Sequence, residues 1–299
     1  MRRYGWAALT AAVLTATLAG CGTPAGTDGD LADDWRPMAA AQQFVPKADE
    51  CHLTGETTSY LTSYSPVDCA KTHRVETIYV GTFTGALAAR TAPPKTDSAT
   101  LRSTFADCDK RAKQFAGGDW RDARLSVQVT LASPLAWSGG ARWYRCDIFE
   151  LDEVSGPNGE SDAAIERAGS LRNALASRSP LHYGCMNEDK WNLLRPVACT
   201  VGHQFEYVGT WTAPDRSWTD ATRDDDSVHA ACRKVIARYA KVPVDGNLVY
   251  RTGTSYRFPN RPLWERGDRG VRCYYWSGGA MVKRSIAGGG TKALPIQYE

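Results

Sequence analysis

Two stretches of the sequence carry residue types that could do chemistry, and they carry them in the same spacing. Cys69-Ala-Lys-Thr-His73-Arg-Val-Glu76 and Cys199-Thr-Val-Gly-His203-Gln-Phe-Glu206 both read C-x3-H-x2-E. Both run on into Tyr-Val-Gly-Thr-aromatic-Thr, after two extra residues, Thr77 and Ile78, in the first copy. A cysteine, a histidine and a glutamate this close together could bind a metal, transfer protons or stabilise a fold.

A zinc site is the first of these alternatives. Structural zinc is held by four Cys or His ligands, usually contributed as two close pairs. Cys69 and His73 form one close pair, but no second tight pair lies in either half of the chain. We therefore expect no metal and no cofactor.

Acid–base catalysis by His73 with Glu76, or by His203 with Glu206, is the second alternative. Residues three apart on a strand point to opposite faces, so each pair would share a site only where a bulge or turn intervenes. The sequence has no G-x-S-x-G, H-E-x-x-H or glycine-rich phosphate loop to complete such a site. We favour a structural role, with the histidine beside a disulfide and the glutamate in a salt bridge or exposed. The sequence thus predicts no catalytic residue, and a hydrolase remains the alternative.

A second repeated segment precedes the last cysteine of each half. Trp137 to Cys146 and Trp264 to Cys273 both read W-x2-G-x-R-x2-R-C. We expect the two tryptophans to pack in the core or in turns, and the arginines, Arg142 and Arg269 or those just before the cysteines, to pair with Glu76 and Glu206. The alternative is an exposed platform of aromatic rings and arginines for sugars or carboxylated peptides.

Eight cysteines follow Cys21, and an even number outside the cytoplasm is typical of disulfides. They form two sets of four: Cys51, Cys69, Cys108 and Cys146, then Cys185, Cys199, Cys232 and Cys273. Each set allows three pairings. We prefer the first cysteine with the second and the third with the fourth, because the first two frame a short strand-and-turn unit. The third can then pin its helix to the last strand.

The recurrence of these features in register predicts an internal duplication. His203, Phe205, Tyr207 and Trp211 alternate as on a strand, whereas Cys108 and Cys232 lie in helical patterns that end at Gly117-Gly118 and before Pro243. The predicted fold is α+β. It has two homologous disulfide-stapled domains, residues 48–180 and 181–299, each a short, mostly antiparallel sheet with one helix.

The N-terminus predicts the location. Arg2 and Arg3 precede an uncharged apolar run that ends Leu18-Ala19-Gly20-Cys21, the layout of a signal peptide over residues 1–20. The run also resembles a bacterial lipobox, which implies lipidation, including palmitate, at Cys21 and anchorage to the outer face of the cell membrane. Residues 21–47 have the composition of a flexible tether. Loss of the two arginines lowers the formal charge from +3 to +1, so we expect no nucleic-acid partner.

The lipobox, the C-x3-H-x2-E motif, a helix cysteine and the late W-x2-G-x-R-x2-R-C segment together resemble the septum-formation domain of actinobacterial envelope proteins, here in tandem. The resemblance covers residues 49–178 and 183–290. It implies an extracytoplasmic, membrane-attached protein linked to cell division, and it implies no catalytic activity. We therefore expect a non-enzymatic binding module for an envelope or division protein, or for a cell-wall polymer. A structural envelope protein without a discrete ligand is a further alternative.

Overall fold

The computed structural model describes residues 43–56, 58–61, 64–152, 164–190 and 193–298. The predicted signal peptide, Cys21 and residues 21–42 of the predicted tether lie outside this part. Gln43–Glu299 cluster as one compact unit. We call residues 43–180 the first half and residues 181–298 the second half. None of the helices in the described ranges is long and apolar enough to span a membrane.

The first half forms a six-stranded sheet. Its strands are β1 (Glu50–His52), β2 (Thr58–Ser59), β3 (Pro66–Val67), β4 (Val75–Thr82), β5 (Leu125–Ala132) and β6 (Trp143–Glu150). The order across the sheet is β2-β5-β6-β4-β1-β3, and every pair is antiparallel except β2 with β5. All eight residues of β5 are buried.

The second half forms a five-stranded antiparallel sheet. Its strands are β7 (Cys185–Glu188), β8 (Leu194–Val197), β9 (Phe205–Thr212), β10 (Gly253–Arg257) and β11 (Gly270–Trp276). The order is β10-β11-β9-β7-β8, which repeats the arrangement β5-β6-β4-β1-β3 of the first sheet. The predicted α+β class is confirmed.

One long helix lies against each sheet, as predicted. These helices are α2 (Arg102–Ala116) and α5 (Asp225–Ala240), and the shorter ones are α1 (Gly85–Ala88), α3 (Pro134–Ser138), α4 (Trp218–Arg223), α6 (Arg261–Glu265) and α7 (Gly290–Ala293). In the described ranges, 3-10 turns cover Ala99–Leu101, Trp120–Asp122 and Leu248–Tyr250. Helix α2 ends at Gly117, whose φ of 77° is the left-handed conformation that glycine adopts at helix ends.

The expectation of a single helix in each half missed the short helices α3 and α6. Both begin with a side-chain cap, because Ser133 accepts a hydrogen bond from the backbone N–H of Ala136 and Asn260 accepts one from that of Leu263. A proline in the first turn of each helix fixes a helical φ there. The Ser-Pro and Asn-x-Pro sequences were therefore helix starts.

Four disulfides join the elements. Cys51–Cys69 and Cys185–Cys199 link the first strand of each sheet to the turn before β4 or β9. Cys108–Cys146 fastens α2 to β6, and Cys232–Cys273 fastens α5 to β11. These are the pairs that the sequence favoured among the three pairings open to each set.

Strand register corrects one prediction from the sequence. Glu76 lies opposite the first cysteine of its set, and so does Glu206. Each glutamate is the second residue of a strand of eight residues, β4 or β9, and each strand has an irregularity in its pairing. The predicted two-residue insertion at Thr77 and Ile78 is therefore wrong. The two glutamates occupy equivalent positions. The shared Tyr-Val-Gly-Thr phrase therefore begins three residues after the glutamate in β4 but one residue after it in β9.

Candidate functional site

The two motif histidines hold the turns that enter β4 and β9. Each forms an isolated antiparallel bridge to a later segment, His73 with Arg167 and His203 with Val282. The Nδ1 atom of His73 lies 2.8 Å from the carbonyl oxygen of Lys71, and that of His203 lies 2.9 Å from the carbonyl oxygen of Val201. Since a carbonyl only accepts, Nδ1 is the donor in both rings. Both side chains are at most 1% exposed.

The two motif glutamates fasten the same later segments to the sheets. Glu76 accepts hydrogen bonds from the Ser170 hydroxyl and, at 2.8 Å, from the backbone N–H of Leu171. Glu206 accepts the equivalent pair from Ser285 and Ile286. Both carboxylates are buried, and among the described residues neither contacts an arginine, so the expected pairing of Glu76 and Glu206 with the arginines of the tryptophan segments is wrong.

The second half adds one donor to this arrangement. The hydroxyl of Tyr239, on α5, donates to Glu206 at 2.7 Å. Burial and this contact with the carboxylate raise the pKa of Tyr239 to about 12, so its hydroxyl remains a donor at neutral pH. The helix position that carries Tyr239 in the second half carries Phe115 in the first.

In the second half the motif histidine and glutamate do come together, because the histidine precedes its strand and lies in a turn; the cluster of the first half contains Glu76 and not His73. Ligand atoms of Cys185, His203 and Glu206 lie within 4.8 Å of one another, as do those of Cys51, Cys69 and Glu76. The sulfur atoms are bonded in disulfides, however, and a metal ligand must be a free thiolate. The glutamate oxygens are also occupied by donors. The geometry suits a fold-stabilising cluster.

The repeated tryptophan segment builds the core. Trp137 and Trp264 are fully buried, and their indole N–H groups donate to the carbonyl oxygens of Arg90 and Arg216, each at 2.9 Å. The guanidinium of Arg142 stacks 4.4 Å from the Trp137 ring, and that of Arg269 stacks 4.2 Å from the Trp264 ring. Rings without exposed surface rule out the exposed platform at these positions, and core packing is the role observed.

A polar cluster that the sequence analysis missed lies on the face of the first sheet opposite Cys146. Asp147 is fully buried and accepts from the hydroxyls of Thr77 and Thr130 at 2.7 and 2.6 Å and from Nε of Arg145 at 2.9 Å. His52 closes the cluster with a contact of 3.1 Å to Thr77. Burial, followed by the charge of Arg145, lowers the pKa of His52 to about 4, so its ring is neutral. The alternation of polar residues along β5 and β6 was the available signal.

A cavity of about 650 Å³ opens beside Glu206, between the two halves. The first half lines it with Asp122 and with residues 175–178, which include Arg178. The second half contributes three tyrosines together with His182, Glu206 and Ser285; the tyrosines are Tyr183, Tyr207 and Tyr239. Tyr207 donates to Asp122 at 2.5 Å, and burial raises its pKa well above the usual value. The cavity therefore offers neutral phenol groups beside one arginine.

A family model described as septum formation matches residues 48–273, three quarters of the chain, in a single match that spans both halves. No curated protein matches the chain. No solved structure matches it either. Because the match covers three quarters of the chain, including both C-x3-H-x2-E motifs and all four disulfides, this chain belongs to the septum-formation family.

Proposed function

We propose that the protein is a non-enzymatic binding module of the cell envelope that takes part in septum formation, held on the outer face of the membrane by a lipid on Cys21. Family membership supports the role in septum formation or cell division. Four disulfides support an oxidising, extracytoplasmic location. The lipobox-like Leu18-Ala19-Gly20-Cys21 supports the anchor.

The state of the motif residues is the observation that carries the non-enzymatic proposal. Both histidines are buried and bonded to backbone through Nδ1, and their Nε2 atoms, which have no partner among the described residues, are buried as well. Both glutamates are buried and already accept two or three hydrogen bonds. A general base must lie within hydrogen-bond reach of the proton that it removes. His73 and His203 have almost no accessible surface from which to do so.

We propose further that the halves are homologous copies. The order of five strands is the same, the disulfides link equivalent elements, and each glutamate accepts from a serine and from the next backbone N–H. A duplication accounts for the repeated motif without any chemical role for it.

The cavity beside Glu206 is the binding site that this proposal favours. Its tyrosines present flat apolar rings, and Arg178 supplies a positive charge, a combination suited to a sugar or a carboxylated peptide. Such chemistry fits a cell-wall polymer or an extended segment of a division protein. The position between the halves also fits the general preference of ligands for clefts between units.

A hydrolase that uses His203 with Glu206 is the second candidate, because Glu206 lines this cavity and lies within 4.8 Å of a ring nitrogen of His203. The two functions predict different results for His203→Ala. A hydrolase loses turnover while its ligand affinity remains, whereas a binding module has no turnover to lose.

The test is a pulldown from native membranes with the mature protein, together with a binding assay on purified cell-wall sacculi. We expect enrichment of division-site proteins or saturable binding to sacculi, weakened at least tenfold by Arg178→Glu, which reverses the charge at the cavity. Arg90→Glu is the matched control, since Arg90 is exposed and lines no cavity described above. Equal loss in both variants, or retention of neither ligand, contradicts the proposal. Hydrolysis of the sacculi would favour the second candidate.

The anchor has its own test. Growth with radiolabelled palmitate should label the wild-type protein and leave Cys21→Ala unlabelled and released from the membrane fraction. An unlabelled wild-type protein, or equal labelling of the wild type and Cys21→Ala, would contradict lipidation at this residue.

A further inference from the structure

Two arginines lie side by side on the second sheet, in a place that the proposed function does not use. Arg257 on β10 and Arg272 on β11 are direct cross-strand partners. Cys273 pairs with Tyr256 and points toward α5, so Arg257 and Arg272 point to the opposite face. They are 6% and 7% exposed. Two like charges directly opposite each other destabilise a sheet, and burial increases this cost.

Neither guanidinium is neutralised by a carboxylate. Two other buried arginines contrast with them, since Arg121 contacts Asp268 and Arg145 contacts Asp147. Within the described ranges, Arg257 and Arg272 form no ion pair. Arg257 donates to the Ser255 hydroxyl and to the carbonyl of Tyr256, and its buried Nε has no acceptor.

Arg272 is held by neutral groups. Its Nε donates to the carbonyl oxygen of Arg121 at 3.0 Å, and its guanidinium lies 5.5 Å from the ring of Tyr183. Asp268 acts on Arg272 from a distance, but that carboxylate already binds Arg121 and the backbone N–H of Gly270. The exposed Glu188 acts on Arg257, also without forming an ion pair.

A second unsatisfied donor, the hydroxyl of Tyr274, lies on this face of the sheet. Tyr274, on the same face as Arg272, is fully buried, and its hydroxyl has no hydrogen-bond partner. The charges of both guanidiniums act on this hydroxyl. Burial, followed by the neighbouring Tyr183, nevertheless raises the pKa of Tyr274, so it stays a neutral donor and cannot balance the two charges.

We propose that Arg257, Arg272 and the Tyr274 hydroxyl form a binding site for an oxyanion, either a carboxylate or a phosphate group. Both groups accept from paired guanidiniums, and each bond is charge-assisted. One such anion would supply an acceptor for the Nε of Arg257 and for the hydroxyl of Tyr274, and it would reduce the repulsion between the two arginines. Because β10 is an edge strand, a ligand can approach Arg257 along it. A cavity of about 310 Å³ at this edge is lined by Arg257 and Ser255 together with Tyr256 and with His229 of α5. Arg272 and Tyr274 are not among the residues that line it.

The test measures thermal unfolding of the full-length protein at pH 7 and constant ionic strength, with phosphate or acetate titrated in place of chloride. We expect a saturable rise in the melting temperature for at least one of them. In Arg257→Gln we expect the apparent affinity to fall at least tenfold. In chloride alone, Arg257→Gln should melt at the same temperature as the wild type or higher, since it removes an uncompensated buried charge.

Arg261→Gln is the matched control, because Arg261 lies four residues away and its side chain is 68% exposed. It should keep the wild-type response. The relative response to phosphate and to acetate identifies which oxyanion the site prefers. Equal responses of wild type and Arg257→Gln, or no saturable response of the wild type to either oxyanion, would overturn the proposal. If Arg257→Gln does not fold, the wild-type titrations and the charge-preserving Arg257→Lys, which should bind more weakly, decide the question.

Discussion

At the scale of single residues, the motif glutamates act as acceptors that close each half. Replacing Glu206 with alanine leaves the donors of Ser285, Ile286 and Tyr239 without an acceptor. Because an unsatisfied buried donor costs about 1–3 kcal/mol, we expect Glu206→Ala to lower the free energy of unfolding by about 2–4 kcal/mol in urea denaturation. Glu76→Ala should cost less, since Glu76 has two such donors.

Glu166→Ala is the control for these variants. Its side chain is 61% exposed and pairs with Arg74 on the surface, so the loss should stay under about 1 kcal/mol. A Glu206→Ala variant as stable as this control would show that other contacts hold the segment of Ser285 and Ile286 on the sheet.

His52 predicts a dependence of stability on pH. The pKa of His52 is about 4 in the folded protein, against 6.5 for a free histidine, so between these values the unfolded state binds a proton that the folded state does not. The contribution of His52 to the free energy of unfolding is therefore fully present above pH 6.5, and it is lost as the pH drops toward 4. The contribution of His52 is up to about 3 kcal/mol, because each pH unit between the folded and unfolded pKa values corresponds to about 1.4 kcal/mol.

Carboxylates also titrate in this window, so the measurement is the difference between wild type and His52→Met. Methionine is what the second half carries at the equivalent place, Met186, directly after the first cysteine. Urea denaturation at pH 7, 5.5 and 4 should show a smaller loss of stability in the variant. Parallel pH profiles would mean that His52 is protonated in the folded state as readily as in the unfolded chain.

At the scale of elements, the third and fourth cysteines fasten helix to sheet. Cys232–Cys273 closes a span of 41 residues, and the chain-entropy model assigns such a loop about 4 kcal/mol. The double variant Cys232→Ala, Cys273→Ala should lose about this much in denaturant unfolding, and hydrogen exchange in α5 should rise first. An unchanged midpoint of unfolding would show that packing alone holds α5 on the sheet.

Some sequence patterns predicted these elements correctly, and one did not. Cysteine order and the helical spacing of Leu101, Phe105 and Cys108 predicted the long helices, because burial of one face imposes that period. The shared Tyr-Val-Gly-Thr phrase led to a wrong alignment of the two halves, because its two glycines are required for different structural reasons. A Cβ on Gly81 would lie 2.3 Å from the Tyr144 ring, whereas Gly209 has a φ of 128°. The same four-residue phrase thus occurs at positions that differ by two residues when the two sheets are aligned.

The polar faces of the sheets were the harder part to predict. Arg145 and Asp147 on β6 correspond to Arg272 and Tyr274 on β11. The sequence shows these residue types, but it did not show that Asp147 is buried or that Arg272 forms no ion pair within the described ranges. Partners such as Thr77 and Thr130 come from other strands, and a strand period says which face a residue occupies without saying what faces it.

At the scale of the whole molecule, a buried arginine forms an ion pair between the two halves. Arg121, in the 3-10 turn of the first half, binds Asp268 of the second half at 2.8 Å and also contacts Asp109. The side chains of Arg121 and Asp268 are 9% and 2% exposed. Removing one partner of a buried ion pair leaves the other charge uncompensated, which costs about 3–5 kcal/mol.

We therefore expect Arg121→Ala to lower the free energy of unfolding by about this amount and to let the two halves unfold in separate steps. Arg102→Ala is a matched control, because Arg102 also joins the halves, through Asp215, but both side chains are largely exposed and the pair should contribute under about 1 kcal/mol. Hydrogen exchange distinguishes the outcomes. Faster exchange confined to one sheet in Arg121→Ala would show that the buried pair couples the halves, whereas a single uniform transition would show that the tyrosine contacts around Asp122 suffice to keep them together.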